Sequence, residues 1–104
     1  MALQTSITLE SGIELFNAYF KITQACLKLD LNSDFNIAEI HVSTFRDQQA
    51  RQDQLQPVLV LTYFARGDEY KQFFDYDKLQ DSNIVRQAYF FLKTKPLFQG
   101  ASDV

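Results

Sequence analysis

The N-terminal part of the chain alternates apolar and polar residues with a period of two. Residues 3–9 place Leu, Thr, Ile and Leu on one side and polar residues on the other, which is typical of a half-buried strand. Residues 10–12 then supply a tight turn, since Gly12 can adopt positive φ. Strand-forming residues resume over 13–22, so the pattern predicts a β-hairpin. In its second strand, one face is expected to carry Phe16, Ala18, Phe20 and Ile22.

Alternation continues through the next segment, but the apolar positions change parity near Ile22, which indicates a bulge or bend there. Residues 23–31 are therefore either a third strand or a bent continuation of the second. A turn is predicted at 32–34 and another strand at 37–45. In that strand Ala38, Ile40 and Val42 are expected to point inward, and Glu39, His41 and Ser43 outward.

Residues 46–56 are rich in Gln and charge and lose the apolar periodicity, which predicts a surface loop with room for a helical turn. Residues 58–65 are apolar at nearly every position, so both faces of this strand are expected to be covered. A short connection containing Gly67 leads to residues 70–74. These are predicted to be another strand, which closes a second hairpin.

Near residue 81 the apolar period changes from 2 to 3.6. Residues 81–83 offer N-cap side chains, and apolar residues then recur at helical spacing until Pro96. Ile84, Val85, Ala88 and Leu92 are expected to be buried against the sheet. One helix is therefore predicted over about 82–94. The order of strands first and a helix last predicts an α+β fold, in which one C-terminal helix packs on an antiparallel sheet of about five strands. A length of 104 residues corresponds to a single domain, 1–104.

The composition is ordinary for a globular domain except in its aromatic residues. The chain has 10 Phe and 5 Tyr but no Trp. Two explanations remain open: a Phe-rich core with tyrosines at its rim, or rings at a surface that is covered in an assembly.

A net charge of -3 with scattered basic residues argues against a nucleic-acid surface, because phosphate binding needs clustered Lys and Arg. The N-terminus lacks the basic and apolar segments of a signal peptide, and no apolar stretch is long enough to span a membrane. We therefore expect no nucleic-acid partner and no membrane partner.

Residues able to carry catalysis are few. His41 is the sole histidine and lies at an outward strand position. Cys26 is the sole cysteine and is surrounded by apolar residues, so we expect it to be a buried small hydrophobe. No constellation of nucleophile and base is present, which predicts a non-enzymatic protein with no cofactor.

Carboxylates cluster at Asp75, Asp77 and Asp81, which could offer oxygens to Ca²⁺. The glycine and terminal glutamate of an EF-hand loop are absent, and Lys78 interrupts the group. We favour turn formation by the first two residues and helix capping by Asp81 or Ser82, and we expect no metal site.

Several short motifs resemble a family of small proteins encoded among the tail genes of tailed bacteriophages and prophages. They are residues 7–13 (ITLESGI), 17–19 (NAY), 76–77 (YD), 83–84 (NI), 87–89 (QAY) and 92–94 (LKT), followed by Pro96, Phe98, Ala101 and Asp103. Residues 28–56 match only in alternation, and the Gln-rich loop within them is atypical.

The resemblance implies a structural virion protein of the tail, baseplate or tail-fibre attachment region, synthesised in the host cytoplasm. Its expected partners are other tail or baseplate proteins, or further copies of itself. One alternative is a small acidic regulator that binds and inhibits a host enzyme. Another is a small-molecule binder that uses the groove between sheet and helix.

Aromatic and apolar residues outside the predicted core stripe of the helix are candidates for partner contact. Leaving large apolar side chains in water would be unusual for a monomer. The predicted helix face and C-terminal tail (97–104) are therefore expected to dock on another subunit. The candidate residues are Tyr19, Phe73, Phe90, Leu97 and Phe98.

Overall fold

The computed structural model describes residues 2–29, 36–80 and 82–104. These form an α+β fold with an antiparallel five-stranded sheet. The strands are β1 (Leu3–Thr8), β2 (Glu14–Lys28), β3 (Ile37–Phe45), β4 (Leu59–Arg66) and β5 (Ser102–Asp103). The helices are α1 (Gln48–Gln52), α2 (Asp68–Phe74), α3 (Tyr76–Gln80) and α4 (Ile84–Leu92), with a 3₁₀ turn at Pro96–Phe98. The strand order is β4-β3-β2-β1-β5.

The predicted N-terminal hairpin is confirmed. The Leu9 amide donates to the Ile13 carbonyl at 2.8 Å, and Gly12 takes φ 88° in the turn. A register shift between Thr5 and Ile7 adds a residue to β2, so Leu15 packs against the core and Phe16 is 73% exposed. The expectation that Phe16 shares the core face is therefore wrong, because a bulge reverses side-chain direction.

Strand β2 runs unbroken for 15 residues, so the segment after Ile22 is a continuation rather than a new strand. The predicted bulge is confirmed as a register shift between Ile22 and Gln24. The amide of Ile22 donates to the hydroxyl of Tyr89 on α4 at 3.0 Å. A helix side chain thereby supplies an acceptor at the point where the ladder is irregular. The turn predicted at 32–34 lies outside the described residues.

One face of the sheet carries the main core, and we call it the covered face. It bears Phe20, Ile40 and Val42, all fully buried, against which α2 and α4 pack. The inward positions predicted for β3 are confirmed, since Ala38 is also 0% exposed. The opposite face, which bears His41, Thr62 and Phe64, is called the open face.

Among the described residues, one end of the open face has a packed apolar cluster, made by Ala2, Tyr19, Phe45 and Ala50. Helix α1 reaches this end from within the Gln-rich segment. The Asp47 carboxylate accepts the Ala50 amide at 2.8 Å, and this hydrogen bond lowers the pKa of Asp47. Ser43, expected to be exposed on this face, is buried, and its hydroxyl lies 3.2 Å from that of Thr23.

The predicted second hairpin is wrong, because residues 68–74 form helix α2. Gly67 adopts φ 57° and starts the helix, with Asp68 and Glu69 in the first turn, where acidic groups suit the helix dipole. Tyr70 and Phe74, four residues apart, then project from one helical face into the core. The short apolar run matched strand and helix equally, and tertiary burial selected the helix.

Helix α4 confirms the predicted C-terminal helix in a shorter form. Asn83 caps it by accepting the Arg86 amide at 2.8 Å. Its buried residues are Ala88, Tyr89, Phe91 and Leu92, whereas Val85, expected inside, is 45% exposed. The expectation of a single helix is wrong, since three shorter ones precede α4 in the described part of the chain.

The C-terminal tail is part of the fold. Phe98 is 1% exposed and meets the Phe20 ring edge-on at a centroid distance of 5.0 Å. Strand β5 follows and pairs with the start of β1, and Lys93 Nζ lies 2.9 Å from the Asp103 carboxylate. The expectation that Phe98 lies outside the core is wrong, because the 3₁₀ turn folds it back over the sheet.

Candidate protein-docking edge

Strand β4 forms one edge of the sheet. It pairs with β3 over residues 59–66, and no other strand of the described chain pairs with it. An edge strand leaves alternate backbone N–H and C=O groups available to a further strand. These eight residues thus offer a row of main-chain donors and acceptors.

The side chains of β4 divide between the two sheet faces. Leu59, Leu61, Tyr63 and Ala65 are buried or half-buried on the covered face. Val60 and Phe64 lie on the open face and are 53% and 40% exposed. The expectation that both faces of this strand are covered is therefore wrong, because β4 is an edge strand rather than a central one.

Exposed apolar residues continue beyond the strand. Leu55 is 50% exposed and Val58 is 46% exposed, just before β4 begins. We use "β4 rim" for the outer backbone edge of β4 together with the side chains of Leu55, Val58, Val60 and Phe64. Apolar surface beside unpaired main-chain groups characterises sites of strand addition.

Charged side chains and proline, which often protect an edge strand, occur only at the two ends of β4, as Pro57 and Arg66. No charged residue and no proline occurs from Val58 to Ala65. Arg66 ends the strand, but its guanidinium lies 4.9 Å from the centroid of the Phe64 ring and thus over an apolar neighbour. The seven strand residues 59–65 are consequently uncharged, and the hydroxyls of Thr62 and Tyr63 are their only polar side-chain groups.

Polar residues occupy the open face next to the rim. His41 pairs with Thr62 across the β3–β4 ladder, and its Nε2 lies 3.3 Å from the Glu39 carboxylate. Lys28 Nζ lies 3.9 Å from the same carboxylate. A partner strand at the rim would therefore meet apolar side chains at the edge and ionic groups further in.

A cleft of about 450 Å³ adjoins the start of β4. The hairpin tip contributes Thr8 and Leu9, and the β4 side contributes Val58, Leu59 and Leu61. The cleft therefore extends the apolar surface of the rim toward the first hairpin rather than lying in the sheet–helix groove.

The residues predicted to contact partners do not form one surface. Tyr19 and Phe98 are buried, in different clusters. Phe73 is half-buried, with its ring 5.9 Å from that of Phe91, and Leu97 packs against the core. Phe90 alone is exposed, at 38%, and the Arg86 guanidinium lies 5.5 Å from its ring centroid.

The candidate chemical groups are also dispersed. Cys26 is half-buried on the open face rather than fully buried, and the side-chain amide of Gln24 donates to its sulfur at 3.4 Å. Asp75 accepts the Tyr76 amide at 3.0 Å, a turn-forming contact. Asp81 lies outside the described residues. Among residues 2–29, 36–80 and 82–104, no three His, Cys, Asp or Glu side chains are grouped to hold a metal ion.

The exposed residues of the β4 rim were missed because a continuous apolar run usually marks a central strand. The position of β4 in the sheet depends on which segment follows it in the chain. A central position for β4 needs a strand on each side, and residues 68–74 supply a helix instead. Recognising Asp68–Glu69 as a helix start would have exposed β4 as the edge.

In the described part of the chain, no helix has the length and apolarity needed to cross a membrane. Comparison with protein-family models, with curated proteins and with solved structures finds no match.

Proposed function

We propose that this protein is a non-enzymatic assembly component that binds another chain along the β4 rim, as a structural part of a tailed-phage virion. The observation that carries the proposal is the edge strand from Leu59 to Ala65, which has no charged side chain and which, among the described residues, pairs on one side only. Natural edge strands are normally protected by charge, proline or a covering segment. An unprotected edge fits a protein whose edge is covered in its working assembly.

The mode of contact follows from the geometry of the rim. A partner strand would gain main-chain hydrogen bonds along β4, and Val60 and Phe64 would supply apolar contacts on the open face. Burying exposed apolar area contributes roughly 25 cal/mol per Å². The location within the tail, baseplate or tail-fibre attachment region is supported by the resemblance of the sequence motifs between residues 7 and 103 to the tail-gene family.

The test is a mass-spectrometric inventory of purified virions from the phage or prophage that encodes the chain. We expect the protein to be present in intact particles. Val60→Lys should remove it from them, because a lysine at the rim opposes strand addition. Ser6→Lys is the matched control, since it adds the same charge at an exposed position of β1.

Absence of the wild-type protein from virions would overturn the virion assignment and favour the regulator that inhibits a host enzyme. Normal incorporation of Val60→Lys would overturn the role of the β4 rim. Circular dichroism of both variants establishes that each is folded before particles are compared.

A further inference from the structure

We infer that the partner strand at the β4 rim is β4 of a second copy, paired antiparallel about a two-fold axis at Thr62. The inference rests on the proposed docking role of the rim and names its occupant. Such pairing would join two five-stranded sheets into one continuous sheet. Both covered faces, with their helices, would then lie on the same side.

The sequence of β4 is complementary to itself in this register. With Thr62 opposite Thr62 of the second copy, Val60 lies opposite Phe64 on the open face, twice by symmetry. On the covered face Leu61 lies opposite Tyr63, and Leu59 opposite Ala65. Aromatic and aliphatic cross-strand pairs and a central Thr–Thr pair are all favourable combinations.

Shifting the register by two residues loses this complementarity. A two-fold axis at Tyr63 would set Val60 against Arg66, and an axis at Leu61 would set Arg66 against Gln56. The axis at Thr62 pairs Val60 with Phe64, whereas the axis at Leu61 pairs Val58 with Phe64 and leaves the more exposed Val60 opposite Thr62. The side chains on the open face therefore favour the register with Thr62 at the axis.

Charge opposes the pairing of two copies only weakly. In this register Arg66 lies opposite Val58, and the two Arg66 residues are eight positions apart along the strands. That corresponds to about 26 Å, well beyond the ~8 Å screening length at physiological salt. The local charges therefore do not repel, while the net charge of -3 on each copy opposes association weakly. Association should consequently strengthen as ionic strength rises.

Sedimentation equilibrium of the purified full chain tests the inference. We expect a concentration-dependent dimer whose Kd is raised about tenfold by Thr62→Lys, because the substitution sets two lysines opposite each other. Ser6→Lys should leave the Kd unchanged. A wild-type protein that stays monomeric up to millimolar concentration, or an equal effect of both lysines, would overturn the inference.

A cysteine placed at the axis tests the register directly. In a Cys26→Ser background, Thr62→Cys should form a covalent dimer under mild oxidation, because directly opposite residues are within disulfide reach. Val60→Cys is the control on the same strand. Its two copies would be about 13 Å apart along the strands, which is too far to bridge. Equal cross-linking by both variants, or cross-linking by Val60→Cys alone, would contradict this register.

The two proposals can fail separately. If the protein is monomeric but is found in virions, the inferred dimer is rejected and the assembly role is kept, with a different tail protein bound at the rim. If the protein is a dimer but is absent from virions, the inferred interface is kept and the virion assignment is rejected.

Discussion

At the scale of single residues, the contact between Tyr89 and Ile22 connects the sheet to its main helix. The Tyr89 ring is 2% exposed, and its hydroxyl accepts the Ile22 amide where β2 bulges. A tyrosine at a buried helical position contributes apolar area through its ring. Its hydroxyl also satisfies a backbone donor beside an irregular ladder, which only the folded structure could reveal.

Tyr89→Phe should lower the free energy of unfolding by about 1–3 kcal/mol, because it leaves the buried Ile22 amide without this acceptor. Urea denaturation measures the loss, and hydrogen exchange should show faster exchange specifically at Ile22. Tyr76→Phe is the control, since that ring is 73% exposed and its loss should cost less than about 0.5 kcal/mol. Equal costs for the two variants, with no change in Ile22 exchange, would contradict this role.

At the scale of elements, local pattern succeeded where a segment was long and strictly periodic. The β1–β2 hairpin, β3 and α4 follow their sequence patterns except at Phe16, Ser43 and Val85, and the bulge after Ile22 is present. Prediction from local pattern failed at α2, where a short apolar run fits both the strand period of 2 and the helix period of 3.6. It also failed in the C-terminal tail, which is too short to show any period. The 3₁₀ turn at Pro96–Phe98 exists because Phe98 is accommodated over the sheet.

Phe98→Ala should lower the free energy of unfolding by about 3–5 kcal/mol, as expected for removing a fully buried ring. Phe90→Ala is the matched control on α4, where Arg86 and Lys93 lie over an exposed ring, and should cost about 1 kcal/mol. Chemical denaturation compares the two. Deletion of residues 97–104 should then destabilise the isolated domain severely. Near-native stability of Phe98→Ala would place this ring outside the core.

At the scale of the whole molecule, tyrosine burial couples stability to alkaline pH. Burial raises the pKa of Tyr63, Tyr70 and Tyr89 above the usual value of 10, and the Asp75 charge adds to the effect at Tyr70. Above pH 10 the unfolded chain loses these phenolic protons before the folded chain does. The folded state then binds more protons, so stability falls as pH rises.

The melting temperature should therefore decrease as the pH rises through 10 toward the raised pKa values of the folded state. Differential scanning calorimetry across this range measures the decrease. Tyr89→Phe should show a shallower decrease, because one of the three groups is gone. A melting temperature that is constant across this range would contradict the assignment of these tyrosines to the interior.

The sequence by itself determined the α+β class, the antiparallel hairpin, the inward residues of β3 and the capped C-terminal helix. Each of these follows from periodicity or turn chemistry within about ten residues. Tertiary structure alone decided that residues 68–74 are helical, that Phe98 is buried and that β4 is an edge. The physical reason is that burial depends on which elements become neighbours. A strand such as Leu59–Arg66 carries the same apolar side chains whether one or two strands lie beside it.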